Sequence, residues 1–112
     1  YELDTYSIEV MDLSSNNSLK ITKRMEMFEN LSELNISHNN IDVVEFPQLK
    51  MLLKLDMSNA CFHNQIFDIS CLPKSLNCLD LSYSKVISIK HIAVLTNLTN
   101  LRISRCNVKE LG

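Results

Sequence analysis

The stretch Leu31-Ser-Glu-Leu34-Asn-Ile36-Ser-His-Asn39-Asn-Ile41 decides how the rest of the chain is read. Its apolar residues fall at steps of three, two and five. A helix returns its apolar face at steps of three and four, and a half-buried strand keeps a step of two. Here the two rhythms are spliced. The same splice returns as LLKLDMSNACF from Leu52, LNCLDLSYSKV from Leu76 and LTNLRISRCNV from Leu98, and more faintly as IEVMDLSSNNS from Ile8. The starts at 8, 31, 52, 76 and 98 are 23, 21, 24 and 22 residues apart. A period in this range belongs to stacked-repeat architectures, where each unit buries its apolar side only against its neighbours.

The shared pattern, L-x-x-L-x-L-x-x-N-x-L, resembles the leucine-rich repeat family over residues 8–111. The resemblance implies an α/β right-handed solenoid of about five stacked repeats. A parallel β-sheet would line the concave face, with a 3₁₀, irregular or short helical return on the convex side. Strands are expected near residues 10–13, 33–36, 54–57, 78–81 and 100–103. Asn16 and Asn39 stand where the family buries an asparagine whose amide satisfies backbone groups of the turn. Ala60, Ser84 and Cys106 occupy that position later, so the turns after strands three to five are expected to be less regular.

Net charge is -2 from 11 basic and 13 acidic residues, which offers no general basic surface for nucleic acid. No apolar run approaches the ~18 residues that would span a bilayer, so no membrane insertion is expected in this segment. One Gly and two Pro argue against linkers, and residues 1–112 read as a single repeat domain, expected to be part of a longer array because neither end offers a polar cap. The uncapped C-terminal edge would leave Leu98, Leu101 and Ile103 open to self-association. No signal peptide or targeting motif is visible, and a chain starting with Tyr1 suggests a processed or excised piece.

The return side is partly readable. From Val86 apolar residues recur every three positions through 89, 92, 95, 98 and 101, a rhythm suited to a 3₁₀-like return. Ile41, Val44, Phe46, Leu49, Leu52, Leu55 and Met57 follow a similar course. Residues 22–29 suggest a helical turn or two with Met25 and Phe28 inward. Such short returns resemble the 22-residue class of intracellular regulators, whereas the Leu-Pro of CLPKSLNCLDLS, residues 71–82, resembles Toll-like receptor ectodomains. Both subclasses stay open.

In the family's geometry the x positions around L-x-L point onto the concave sheet, because side chains alternate across a strand. This face carries Glu33, Lys54, Asp56, Asp80 and Arg102, with Tyr83 and Arg105 just beyond the strands. These seven residues form the candidate partner-binding site, and Tyr83 with Arg102 and Arg105 supplies side chains enriched at binding hot spots. The row Ser14, Ser37, Ser58, Ser82 and Ser104 reads as structural, a hydroxyl ending each strand. The Asp12, Asp56, Asp80 row reads as a solvated face or a partner contact.

No catalytic site and no cofactor are implied. His38 has Ser14, Ser37 and Asp56 within reach on neighbouring strands, but an open sheet offers neither an oxyanion hole nor water exclusion. Cys61 and His63 with Cys71 or Cys78 lack the paired spacing of structural zinc, so no metal is expected. Two function classes remain: a protein-binding scaffold using the concave face, or a segment of an extracellular pattern-recognition or adhesion receptor. A cytoplasmic location is favoured because Cys61, Cys71, Cys78 and Cys106 lack the clustering of extracellular capping units, although Cys61 and Cys71 could close a loop. Against this stand four N-x-[ST] sequons, at Asn16, Asn30, Asn35 and Asn97, which would carry glycans in a secreted chain.

Overall fold

The computed structural model describes residues 7–62, 66–105 and 107–110. One strand from each repeat enters a five-stranded parallel sheet: β1 (Val10–Asp12), β3 (Glu33–Asn35), β5 (Lys54–Asp56), β8 (Cys78–Asp80) and β10 (Asn100–Arg102), ordered as in the chain. The register keeps equivalent residues side by side: Met11, Leu34, Leu55, Leu79 and Leu101 form one lateral row. The last four strands start in the same way, with two successive N–H groups sharing a carbonyl of the previous repeat. Ser32 and Glu33 donate to Glu9, Leu53 and Lys54 to Ser32, Asn77 and Cys78 to Leu53, and Thr99 and Asn100 to Asn77, at 2.8–3.0 Å. Repetition of sequence has become repetition of hydrogen bonding.

A second parallel sheet, absent from the sequence expectation, runs along the return side. Its order is β11 (Asn107–Glu110), β9 (Lys85–Ser88), β6 (Cys61–Phe62), β4 (Asn39–Val43) and β2 (Asn17–Ile21), with β7 (Phe67–Asp68) also paired to β9. Among the described residues three short 3₁₀ turns complete the return: Lys23–Met27, Ile69–Cys71 and Ile92–Val94. Met25 of the first and Phe28, which caps its end, pack against the core, as their spacing predicts. The step of three assigned from Ile41 does not hold at its second member. Val44 is 63% exposed, because β4 alternates with a period of two and packs Ile41 and Val43 instead.

Between the sheets lies one apolar core. Leu31, Ile36, Ile41, Leu52, Met57, Phe62, Ile69, Leu76 and Leu81 are fully buried, and Leu34, Leu55 and Leu79 close it from beneath the first sheet. Phe62 stacks on Phe67 with ring centroids 4.5 Å apart, and Phe46 tilts against Phe67 at 6.3 Å. At the last described repeat burial thins: Leu98 and Leu101 are half-buried and Ile103 is 39% exposed.

Candidate functional site

The turn leaving each first-sheet strand determines which side chains a partner would meet. In four repeats an Asx residue and a serine two positions later close a local turn. The N–H and hydroxyl of Ser14 donate to Asp12 Oδ1 at 2.9 and 2.6 Å, and those of Ser37 to Asn35 Oδ1 at 3.0 and 2.6 Å. Ser58 and Ser82 donate their N–H groups to Asp56 and Asp80 Oδ1, both at 2.9 Å. The aspartate row is therefore first a set of turn anchors, each carboxylate keeping its other oxygen for solvent or a partner. The two hydrogen bonds from Ser14, hydroxyl foremost, hold the Asp12 carboxyl below its ordinary range.

The following residue takes a left-handed backbone in all five repeats: Ser15, His38, Asn59, Tyr83 and Arg105, with φ of 57°, 57°, 51°, 62° and 54°. That conformation turns its N–H toward the next repeat. Ser15, His38, Asn59 and Tyr83 donate to the carbonyls of Ser37, Ser58, Ser82 and Ser104 at 3.1, 3.0, 2.7 and 2.9 Å. A non-glycine residue pays about 1–2 kcal/mol for this geometry, less for Asn.

Behind the rim sits the asparagine ladder. Buried Asn39 donates through Nδ2 to the carbonyls of Leu13, Ile36 and Ser37 at 3.0, 3.1 and 3.0 Å, and its Oδ1 accepts the Asn16 N–H at 2.8 Å. The expectation of less regular turns fails for repeats three and four, whose left-handed residues and cross-repeat bonds match those of the first two. Ser84 explains this. Its hydroxyl donates to the Met57 carbonyl and accepts the Ala60 N–H, the equivalents of Leu13 and Asn16. The fifth ladder position, Cys106, lies outside the described residues.

The outer face of the first sheet is hollowed into an open depression of about 370 Å³. Its floor is the strand backbone at Leu34, Leu55 and Leu79, whose side chains are buried on the opposite side, and its walls carry exposed Val10 with Asp12, Glu33, Lys54, Asp56, Asp80 and Arg102. Five of the seven candidate residues thus share one surface. Lys54 pairs with Glu33 across neighbouring strands at 3.4 Å, an exposed bridge of little stabilising value. A second depression, about 600 Å³, runs along the rim between His38, Asn59, Asp80, Tyr83 and Arg102. Tyr83 is 54% exposed there, and Arg105 is exposed one turn further along but lines neither hollow.

The groups weighed for other chemistry are occupied elsewhere. His38 Nδ1 lies 2.9 Å from Asn59 Nδ2, and the Ser14 and Ser37 hydroxyls are held by Asp12 and Asn35. Among the described residues no group of three His, Cys, Asp or Glu is placed to hold a metal, and His63 lies outside them. Cys61, Cys71 and Cys78 are free thiols, so the Cys61–Cys71 bridge is not formed. Cys71 is exposed by residue area, yet packing around its sulfur and the Asp68 carboxylate push its thiol up to about 11. No helix among the described residues is long and apolar enough to cross a membrane.

Residues 30–52 match the family model described as Leucine Rich Repeat. This segment is a leucine-rich repeat. The matched span holds β3, the Asn35–Ser37 turn, His38 and Asn39, and the other units stack on it in the same register. Leucine-rich repeats are in general non-enzymatic protein-interaction modules, and this chain presents the parallel strands and short 3₁₀ returns of such an array. No curated protein and no solved structure matches the chain.

Proposed function

We propose that this chain is a protein-recognition module whose partner lies across the hollowed face of the first sheet. The observation that carries this reading is the 370 Å³ depression, where exposed Val10 stands among Glu33, Lys54, Asp56, Asp80 and Arg102. Such a surface combines apolar contact with charges that set register and partner choice. Tyr83 and Arg105 extend it beyond the strand ends. The test compares affinity capture by the intact chain with capture by a face variant carrying Glu33→Gln, Lys54→Gln, Asp56→Asn, Asp80→Asn and Arg102→Gln. The Asp→Asn changes remove charge while keeping the turn acceptor that Asn35 already supplies. A specific partner should be retained by the intact chain and lost by the variant; retention by both would refute the reading.

A receptor-ectodomain segment is the second reading, favoured by the four sequons. Asn16, Asn30 and Asn97 are exposed, whereas Asn35 lies half-buried on the face itself, where a glycan would fill the hollow. Glycan mass on Asn35 after expression in a secretory host would support the receptor reading against the scaffold. A cytoplasmic location goes with the scaffold reading and rests on the cysteine spacing alone. We also propose one domain within a longer array, or self-association through β10. Among the described residues β10 pairs on one side only, beside exposed Ile103. Sedimentation at rising concentration tests the self-association.

A further inference from the structure

We propose that the rim of left-handed residues is a specificity surface that grips a carboxylate-bearing extended segment of the partner at its Tyr83–Arg105 end. This deepens the protein-recognition reading and rests on it. The left-handed backbone serves the fold by presenting an N–H to the neighbouring repeat, and glycine would do so without steric cost. Asn59 tolerates the conformation and Ser15 is small, but tyrosine and arginine gain nothing from it. Tyr83 nevertheless holds φ 62° and Arg105 φ 54°, with both side chains exposed. Buried contact therefore does not compensate the strain, and strain kept at exposed side chains points to what those side chains do.

Charge identifies the partner chemistry. The two residues are lateral neighbours, since the Tyr83 N–H bonds the carbonyl of Ser104, which precedes Arg105. Arg102 lines the rim hollow with Tyr83, and exposed Lys85 lines the outer slope with His38 and Asn59. Among the described residues none of these three cations forms an ion pair. The Arg102 guanidinium and Tyr83 phenol of the rim hollow, with the Arg105 guanidinium exposed on the unit next to Tyr83, suit a carboxylate. A polyanion of continuous charge suits the site less well, because Asp80 stands in the same hollow and Asp56 beside it in register.

Fluorescence polarisation tests the assignment with three labelled probes: an extended Glu-Gly repeat peptide, its Lys-Gly counterpart, and a single-stranded oligonucleotide of equal charge to the first. The Glu-Gly peptide should bind best, and Tyr83→Gly and Arg105→Gly should each weaken it at least ~10-fold while leaving the thermal midpoint unchanged or raised by about 2–5 °C. Tyr83→Asn, which also tolerates the backbone, should behave alike. Preference for the Lys-Gly peptide or the oligonucleotide, undiminished binding in the variants, or a midpoint several degrees lower in all three would overturn the proposal. If the rim variants retain the captured partner while the face variant loses it, the rim assignment fails and the face reading stands.

Discussion

Replacing Asn39 by alanine should destabilise the chain more than any other polar substitution in the turns. The side chain is 3% exposed and serves four backbone groups belonging to two repeats. Its amide has two N–H groups for three carbonyls, so one contact is shared and three hydrogen bonds are a fair count. Each is worth about 1 kcal/mol net, and a carbonyl left buried without a partner adds about 1–3 kcal/mol. The Asn16 N–H lies in an exposed turn and regains water, which leaves an expected loss of about 3–5 kcal/mol. Against a total of roughly 5–15 kcal/mol for a domain, that is a large share. Asn39→Ser should recover part of the loss, because Ser84 already bridges two equivalent groups one pair of repeats along. Asn39→Asp should do worse than alanine, since a carboxylate donates nothing and carries charge into a buried site. Urea melts followed by circular dichroism give the comparison. A loss below about 1 kcal/mol for Asn39→Ala, or a serine variant no better than alanine, would refute the reasoning.

Leu55→Ala or Leu79→Ala should cost ~2–5 kcal/mol in the same melts, because each is almost fully buried beneath the first sheet between two other repeats. Asp12 carries a lowered pKa in the fold, so its contribution is present above the unfolded carboxylate range near ~3.9 and is lost as pH falls through the folded value. Asp12→Asn keeps the acceptor at every pH and should gain on the parent only in acid; a gap of equal size at neutral pH would contradict this. Alkylation of Cys71 should still be accelerating at pH 10, its thiol lying at about 11, whereas a plateau near an ordinary thiol pKa of ~8.5 would contradict the burial of its sulfur.

The first sheet was legible because L-x-L places two buried residues on one side of each strand, and the period repeats it at Leu34, Leu55 and Leu79. The second sheet was not. β2 and β4 run to five residues, but β6 contributes only Cys61–Phe62, so alternation does not recur from repeat to repeat against the three-residue rhythm around it. In the site, the aspartate and serine rows were each visible but not joined. Asp12-x-Ser14, Asn35-x-Ser37, Asp56-x-Ser58 and Asp80-x-Ser82 share the two-residue offset of an Asx turn, and Arg102-x-Ser104 breaks it. The left-handed rim had no readable signal, because the residue type that marks it elsewhere, glycine, occurs at none of the five positions. Ser84 standing in for a ladder asparagine was hidden for a related reason: the compensation comes from a side chain 27 residues beyond the carbonyl it serves.

Amide hydrogen exchange, measured on the chain alone and on its complex with the partner captured by the intact face, tests the central claim most directly. The account predicts new protection confined to residues 33–35, 54–56, 78–80 and 100–105 and to the Tyr83 turn. Residues 39–43 and 85–88 of the second sheet should be unchanged. Protection concentrated on the second sheet or the 3₁₀ turns, with the first-sheet face unaffected, would contradict it.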